Sequence, residues 1–369
     1  MPRCRHDHIR AVHKQAWTLH REGYEVLLVV RQPPVDTYLG MQVITANASF
    51  TSILRPILNL PGLFLQAWRL KCDVYILRNP DTIPLALLLW LTGRKVIYDT
   101  HEDFSKRPQI RRISPAWLKP VVAWSITACE RLLARTTAAV LVTQRQQPDF
   151  LGGRTLLQPN APLVDGPIVE AAHATPALPK SDRPSLIYVG EMTRNRGVIL
   201  MLDLIDRLNQ SRPCCLRLVG WFDTEDLRQE AQRHNGWRYV EDYGTVSHAQ
   251  SLSLIRDSDV GLALLHPVAD YPTSSITKLF EYMQFGVPFI ASDFPAWRVS
   301  TRFGPPGIYV NPEAPDEILS LSQQLLDDAS QRSAMGRAGQ HYIENSFNWN
   351  CYAESLLALV ADASASTFK

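Results

Sequence analysis

The chain of 369 residues has no run of about 18 uncharged apolar residues, which is the length that a membrane-spanning helix requires. The basic stretch at residues 1–10 is not followed by an apolar core, so we expect no secretory signal. The six cysteines form no CxxC pair, which disfavours both a zinc site and a disulfide framework. We therefore expect a cytoplasmic protein without a metal, a cofactor or a nucleic-acid partner.

The net charge of +2 is small, yet the charges are unevenly distributed along the chain. Residues 1–180 hold 22 of the 38 Lys and Arg but only 13 of the 36 Asp and Glu, so this half carries +9 and the remainder −7. A basic amphipathic stretch at 113–133 adds to this asymmetry and can lie against an anionic membrane. The alternatives are a chance partition of surface charge and a helix with one face in the core.

Strand-like and helix-like segments alternate along the chain, which predicts an α/β protein with parallel sheets. A proline-rich stretch without a clear period separates two such series, so we predict two doubly wound, Rossmann-like domains facing a cleft. The first series opens with a helix near 9–22 rather than with a strand, so its first strand is predicted to be missing. The predicted segments are an N-terminal domain at 1–165, a linker at 166–183, a C-terminal domain at 184–345 and a last helix at 346–369.

A polar loop and a short amphipathic helix at 274–285 lead through a Gly-Val-Pro turn into a buried strand. The first N–H groups of such a helix lack intrahelical partners and favour an anion. Lys278 lies in the first turn, where the helix dipole disfavours a cation, so a bound anion would explain it. Glu281 lies one turn later and can accept hydrogen bonds from hydroxyl groups. An ordinary helix capped by Ser or Thr is the alternative.

Two other polar loops follow predicted strands. The loop at 190–197 contains Arg194 and Arg196, which could add charge at a phosphate site, although exposed arginines beside a turn are the alternative. The cluster at 99–104 follows the strand at 95–98, at the edge of a parallel sheet where ligands bind, although helix caps are the alternative. The Asp-x-Asp motif at 257–259 precedes its strand, so we do not interpret it as a metal site.

Four segments resemble the retaining nucleotide-sugar glycosyltransferases of the GT-B fold, glycosyltransferase family four. The helix at 277–283 with Gly286-Val287-Pro288 resembles the donor-binding signature of that family. The other segments resemble, in chain order, its Asp-x-His-Glu element at 98–102, its first C-terminal loop at 188–197 and its closing helix from 347–349, which crosses back to the N-terminal domain.

The resemblance implies a site that binds a nucleotide diphosphate sugar without a divalent metal. Glu281 would hold the ribose, the amides at 275–277 would cradle the phosphates, and Arg196 would neutralise the leaving diphosphate. The implied catalytic residues are His101, Arg196 and Lys278, and the implied donor-binding residues are Gly190, Arg194, Tyr243, Gly244, Ser275, Ile276, Thr277 and Glu281.

The resemblance also implies a sugar transfer to a glycan or lipid-linked acceptor, in polysaccharide or glycolipid biosynthesis, in the cytoplasm or at the inner face of the plasma membrane. The N-terminal domain would be the acceptor side. Two departures oppose this activity: Thr273 stands where the family often has a second glutamate, and the first strand is predicted to be missing. They favour, as an alternative, a non-catalytic pseudoenzyme that binds a nucleotide sugar or a partner. A nucleotide-sugar epimerase or hydrolase on the same architecture is a further alternative.

Overall fold

The computed structural model describes residues 8–31, 35–48, 55–100, 118–144, 147–179, 183–268, 271–299 and 301–365. Contacts divide the chain into two compact units. The N-terminal unit contains Met1–Asn160 and Trp349–Lys369, and the C-terminal unit contains Ala161–Asn348. Within these described ranges, no helix is both long and apolar enough to cross a membrane.

The N-terminal unit contains a four-stranded parallel sheet in the order β4-β5-β6-β7 and a three-stranded sheet in the order β1-β3-β2. The strands of the first sheet are short and apolar, which is typical of parallel strands that are covered on both faces. The strands are β1 (Leu27–Val30), β2 (Thr37–Tyr38), β3 (Met41–Thr45), β4 (Val74–Arg78), β5 (Lys95–Thr100), β6 (Ala139–Val142) and β7 (Thr155–Leu157).

The helices of the N-terminal unit alternate with these strands, as the hydrophobic periodicity predicts. The first helical segment is a π-helix at Ile9–Ala16 that continues into α1. The helix predicted at 83–91 is confirmed at both ends. The α-helices are α1 (Trp17–Arg21), α2 (Arg55–Leu58), α3 (Leu60–Leu70), α4 (Ile83–Leu91), α5 (Leu118–Thr136), α6 (Gln147–Leu151) and, near the end of the chain, α14 (Asn350–Ala365).

Residues of β1 and β4 line a cavity of about 410 Å³. In the described part of the chain, β1 pairs only with β3, and β4 pairs only with β5. Residues 1–7 lie outside the described residues, so the missing first strand stays a prediction.

The last helix, α14, packs within the N-terminal unit. Trp349, just before the helix, is fully buried, and its Nε1 donates a hydrogen bond to Thr18 Oγ1 at 2.8 Å. Gln158 Nε2 donates to the backbone oxygen of Tyr352 at 2.8 Å. These bonds fix α14 beside α1 and the segment that follows β7.

The C-terminal unit is built on one six-stranded parallel sheet in the order β10-β9-β8-β11-β12-β13. This order runs outwards in both directions from the centre, so the sheet is doubly wound, as predicted. The strands are β8 (Ser185–Met192), β9 (Cys215–Phe222), β10 (Val240–Gly244), β11 (Val260–Ala263), β12 (Phe289–Ser292) and β13 (Gly307–Val310).

The helices of this unit cover both faces of the sheet. Those predicted at 198–208 and 248–256 are confirmed at both ends. The α-helices are α7 (Pro167–Ala174), α8 (Val198–Leu208), α9 (Glu225–Arg233), α10 (His248–Arg256), α11 (Thr277–Gln284), α12 (Pro315–Asp327) and α13 (Ala329–Asn345).

The segment predicted to be a linker contains α7, which packs against α10. Pro167 occupies the start of this helix, where an N–H is not needed, so proline favours a helix here rather than breaking one. Ile168, Val169 and Ala172 are buried. The prediction of a linker rested on proline content, which does not exclude a packed helix.

Candidate functional site

The site lies at the carboxyl ends of β8 and β11, two adjacent strands from which the chain continues in opposite directions along the sheet. A doubly wound sheet binds its ligands at such a switch point. The two loops that follow the strands are tied together, because His266 N donates to the backbone oxygen of Asn195 at 2.9 Å. Gly197 makes this approach possible, since a Cβ atom there would lie 2.0 Å from Leu264 O.

Helix α11 begins at this site, and no side chain of the described residues caps its first turn. Its first turn contains no acidic residue, so the exposed N–H groups keep their affinity for an anion. Ser275 and Thr277 are exposed, and Ile276 is half-buried. The loop before them is held in place by Trp297, whose Nε1 donates to the backbone oxygen of Ser274 at 2.9 Å.

Lys278 is a buried cation at the start of this helix, only 8% exposed. Its Nζ lies 3.6 Å from the centre of the Tyr188 ring and has no hydrogen-bond partner among the described residues. Burial, and then the neighbouring Arg196 guanidinium, hold the pKa of Lys278 well below its usual range, although Glu281 opposes them. An amine in this state would gain hydrogen bonds and charge balance from an anionic ligand.

Gly190 and Arg196 lie beside this amine. A Cβ atom at Gly190 would lie 3.6 Å from Lys278 Nζ and 4.0 Å from Arg196 Nη1, so the glycine leaves open the space between two cations. Arg196 is held by Glu191, with Nη2 to Oε2 at 3.3 Å, and by the Tyr271 hydroxyl, 3.4 Å from Nε. The structure thus brings together three of the predicted site residues.

The loop predicted at 190–197 starts later than expected, because β8 continues through Met192. Gly190 therefore lies in a strand with φ of +127°, a left-handed value that favours glycine. The neighbouring Gly220 on β9 explains this continuation, since a Cβ atom there would lie 2.0 Å from Gly190 O. Two facing glycines let both strands extend to the edge of the site.

Glu281 lies one turn along α11 from Lys278, and its side chain is 18% exposed. Its Oε1 is 3.8 Å from His248 Nε2, at the start of α10. The carboxylate is thus neither in bulk solvent nor locked in the core. It can accept hydrogen bonds from a ligand, and its contact with a ribose stays a prediction.

Tyr243 and Gly244 end β10, at the same edge of the sheet. The Tyr243 hydroxyl donates to Glu241 Oε2 at 3.3 Å, and its ring packs on the core that also contains Ile276. Gly244 has φ of +58° with open space where a Cβ atom would lie. Their predicted place near the base of a nucleotide stays a prediction.

Arg194 is separated from the other cations. Its guanidinium is mostly exposed and pairs with Glu230 on α9, with Nη1 to Oε1 at 3.0 Å. This pairing lowers the pKa of Glu230 through the hydrogen bond from Arg194. The arrangement matches the alternative of an exposed arginine beside a turn, and the donor-binding role of Arg194 stays a prediction.

His101 lies outside the described residues, so its predicted catalytic role is a prediction still. Asp99, just before it, is fully buried rather than exposed at a ligand edge. Its carboxylate accepts hydrogen bonds from Arg10 Nη2 at 2.7 Å and from Gln15 Nε2 at 2.9 Å, and Arg78 Nε lies 3.1 Å from it. The polar cluster at 99–104 therefore begins with a structural ion network.

The Asp-x-Asp motif also serves the fold. Asp257 Oδ2 accepts a hydrogen bond from Leu178 N at 2.8 Å, and Asp259 Oδ2 accepts one from Ser185 N at 2.8 Å. Both carboxylates therefore hold backbone segments.

Sequence reasoning missed four residues that shape the site: Tyr188, Tyr271, Trp297 and His248. Tyr188 offers its ring to Lys278 while its hydroxyl donates to Glu191 O at 2.8 Å. No spacing rule connects it with Lys278, which is 90 positions away. Its place at the start of the segment 188–197, which resembles the first C-terminal loop of the family, was a signal that could have identified it.

The chain is similar to known proteins in part of its sequence and in its fold. Residues 172–342 match the family model described as glycosyl transferases group 1. The fold is similar to sucrose-phosphate synthase from Thermosynechococcus elongatus, with a TM-score of 0.73, 19% identity, and coverage of 95% of this chain and 92% of that chain. Curated protein sequences contain no match.

Two other solved structures are similar over nearly their whole length. HepE from Anabaena, in complex with UDP and glucose, has a TM-score of 0.68 and 13% identity, covering 95% of this chain and 96% of that chain. WaaG, a glycosyltransferase involved in lipopolysaccharide biosynthesis, has a TM-score of 0.66 and 13% identity, covering 95% and 94%. These likenesses confirm the predicted fold class. The chain therefore has the GT-B fold, and its residues 172–342 match the glycosyl transferases group 1 family model.

Proposed function

We propose that this protein is a glycosyltransferase that moves a sugar from a nucleotide diphosphate sugar to a glycan or lipid-linked acceptor. The reaction retains the anomeric configuration and uses no divalent metal, as in family four. One observation carries this proposal. The Lys278 amine is buried, has no hydrogen-bond partner among the described residues, and lies beside Arg196, Gly190 and the uncapped start of α11.

These groups fit a diphosphate. Two phosphates carry several negative charges, and a helix N-terminus with two cations supplies donors of fixed position. When the bond between the anomeric carbon and the diphosphate oxygen breaks, negative charge grows on that oxygen. Lys278 and Arg196 stabilise this charge, and the proton of the acceptor hydroxyl passes to the leaving phosphate as the new glycosidic bond forms. Cations in these positions perform the role that a metal has in other transferases.

The rest of the donor fits the neighbouring residues. Glu281 accepts hydrogen bonds from the ribose hydroxyls, and Tyr243 with Gly244 borders the base. HepE was solved with UDP and with UDP-glucose, which makes UDP-sugars the first donors to try. His101 is proposed to act near the transferred sugar.

The acceptor side belongs to the N-terminal unit in this proposal. Its basic character favours a phosphate-linked or lipid-linked acceptor at the inner face of the plasma membrane. WaaG acts in lipopolysaccharide biosynthesis, and an analogous role in cell-surface polysaccharide or glycolipid biosynthesis is proposed here.

The test is a panel of nucleotide sugars, beginning with UDP-glucose, with and without extracted lipid and glycan acceptors. We expect nucleotide release that requires an acceptor. Release without an acceptor would indicate a hydrolase, and binding without turnover would indicate the pseudoenzyme.

Two arginine variants provide a matched pair for the phosphate assignment. Arg196→Gln should reduce kcat/KM by about 100-fold, since removing one electrostatic donor to a developing charge typically costs that much. Arg194→Gln removes the same charge two residues away but from a side chain held by Glu230, so we expect a change of less than about threefold. Equal losses in both variants would refute the assignment of Arg196.

A further inference from the structure

Several helices of the N-terminal unit expose large apolar side chains. Eleven large hydrophobic side chains are exposed in the described part of the chain, and eight of them lie on or at the ends of α2, α3, α4 and α5. Trp124 is 71% exposed and Leu91 is 70% exposed. We call these eight the apolar helical face: Ile57, Leu58, Leu65, Trp68, Leu91, Val121, Trp124 and Leu132.

Six of the eight side chains belong to one helical layer formed by α3, α4 and α5, and α2, which carries Ile57 and Leu58, packs against α3. α4 packs against both α3 and α5, and buried residues of all three helices contact the same side of the sheet, through Tyr75, Val96 and Val140. Each helix thus has a covered face and an outer face. On α5 the exposed apolar residues Val121, Trp124 and Leu132 recur at helical spacing and mark the outer stripe.

The exposed charged side chains on these helices have one sign. Arg69, Arg131 and Arg135 are exposed, and Arg94 follows α4 with its guanidinium 4.7 Å from the centre of the Trp68 ring. The single carboxylate within α2, α3, α4 and α5 is Glu130, which is buried and accepts a hydrogen bond from Thr100 Oγ1 at 2.7 Å. Cations therefore border the apolar helical face without exposed anions on the same helices.

We propose that the apolar helical face docks on an anionic lipid bilayer, with its tryptophans at the headgroup level and its arginines on lipid phosphates. A cluster of exposed large apolar side chains on adjoining helices is typical of an interaction surface. Tryptophan prefers the membrane interface, and each Lys or Arg near an anionic leaflet adds to the attraction. The helices lie on the surface rather than cross it, since none among the described residues is long and apolar enough to span.

This inference specifies the membrane contact of the proposed function but does not depend on sugar transfer. Its test needs no nucleotide sugar. The full-length protein is mixed with vesicles of phosphatidylcholine alone or of phosphatidylcholine with phosphatidylglycerol, and the bound fraction is measured by flotation. We expect binding to the anionic vesicles, little binding to the neutral ones and weaker binding at high salt.

Three variants locate the contact. Trp124→Ser with Leu91→Ser should lower the partition coefficient at least about tenfold, because both side chains lose apolar burial in the interface. Arg69→Gln with Arg135→Gln should lower it about fivefold per charge. Trp221→Ser is the matched control: Trp221 is an exposed tryptophan of the C-terminal unit, and its removal should leave vesicle binding unchanged.

Circular dichroism and thermal unfolding establish that each variant is folded, and all these positions are exposed, so small changes are expected. Equal binding to neutral and anionic vesicles, no binding to either, or an equal loss in the Trp221 variant would overturn the proposal. Lack of vesicle binding with intact nucleotide binding would assign the apolar helical face to a protein partner. It would leave the proposed transfer reaction untouched.

Discussion

At the scale of single residues, Lys278 stands out as a buried cation. A charged amine in the interior costs free energy unless it is paired, and this one lies against an aromatic ring and near a second cation, with no hydrogen-bond partner among the described residues. Sequence reasoning identified the residue because a cation is misplaced in the first turn of a helix. It could not foresee that the amine would be buried, since burial depends on Tyr188 and Arg196 from the neighbouring strand and loop.

We predict that Lys278→Met makes the protein more stable and weakens nucleotide binding. The folded pKa of Lys278 lies below its unfolded value, so the unfolded state binds more protons between the two values. The stability of the wild type should therefore rise as the pH increases toward about 10.4, the unperturbed pKa. Urea unfolding at pH 7 and pH 9.5 measures this rise, which the variant should lack, and calorimetry measures the affinity for UDP.

Lys71→Met, which removes an exposed lysine, is the control and should change neither property. A Lys278 variant that unfolds more easily and binds UDP normally would show that the amine supports the fold instead.

Glu281 gives a second prediction at this scale. Glu281→Ala should weaken UDP binding about 10- to 100-fold, since a hydrogen bond to a charged group contributes about 1.5–3 kcal/mol. Binding of inorganic diphosphate should be unchanged, because that ligand has no ribose. Calorimetry with both ligands separates the two contributions. If both affinities fell together, Glu281 would be organising the phosphate site rather than holding a ribose.

At the scale of elements, the loops after β8 and β11 depend on a glycine. Gly197 has φ of +77° and packs its Cα against Leu264 O. The strand-loop-helix pattern predicted a ligand loop here, and helix α8 was predicted at both ends. The contact with the loop after β11 was not predictable, because it joins segments about 70 positions apart.

We predict that Gly197→Ala lowers the melting temperature and weakens nucleotide binding, since the new Cβ atom collides with backbone and forces the two loops apart. Gly304→Ala is the matched control: Gly304 has φ of +98° but open space around it. The control should lose only about 1–2 kcal/mol, from the left-handed backbone, and keep its affinity. Similar losses of affinity would mean that loop spacing is unimportant to the site.

At the scale of the whole molecule, each unit has its own core, and the N-terminal unit also contains a buried ion network. Arg10 from the π-helix and Arg78 from the end of β4 meet the carboxylate of Asp99. Arg10 Nη1 also donates to Gln158 O at 2.7 Å. The network therefore joins the first helix, two strands and the segment that leads out of the unit.

We predict that Asp99→Ala destabilises the N-terminal unit by about 3–5 kcal/mol, because two guanidinium groups would remain buried without their carboxylate. Denaturant unfolding followed by circular dichroism measures this change. Asp293→Ala, which breaks an exposed pair with Arg298, is the control and should have little effect. A small effect of Asp99→Ala would mean that water or rearrangement satisfies the arginines.

The sequence by itself determined the alternation of strands and helices, the parallel sheets and the helix start at Lys278, because these depend on local periodicity and on turn residues. It did not predict short edge strands such as β7 and β13, because their few residues carry no clear hydrophobic period. Tertiary structure alone decided that Arg196 joins Lys278 while Arg194 pairs with Glu230, and that Asp99 is buried. Charges two residues apart look alike in a sequence, and only the packing of distant strands and helices determines which of them faces a ligand.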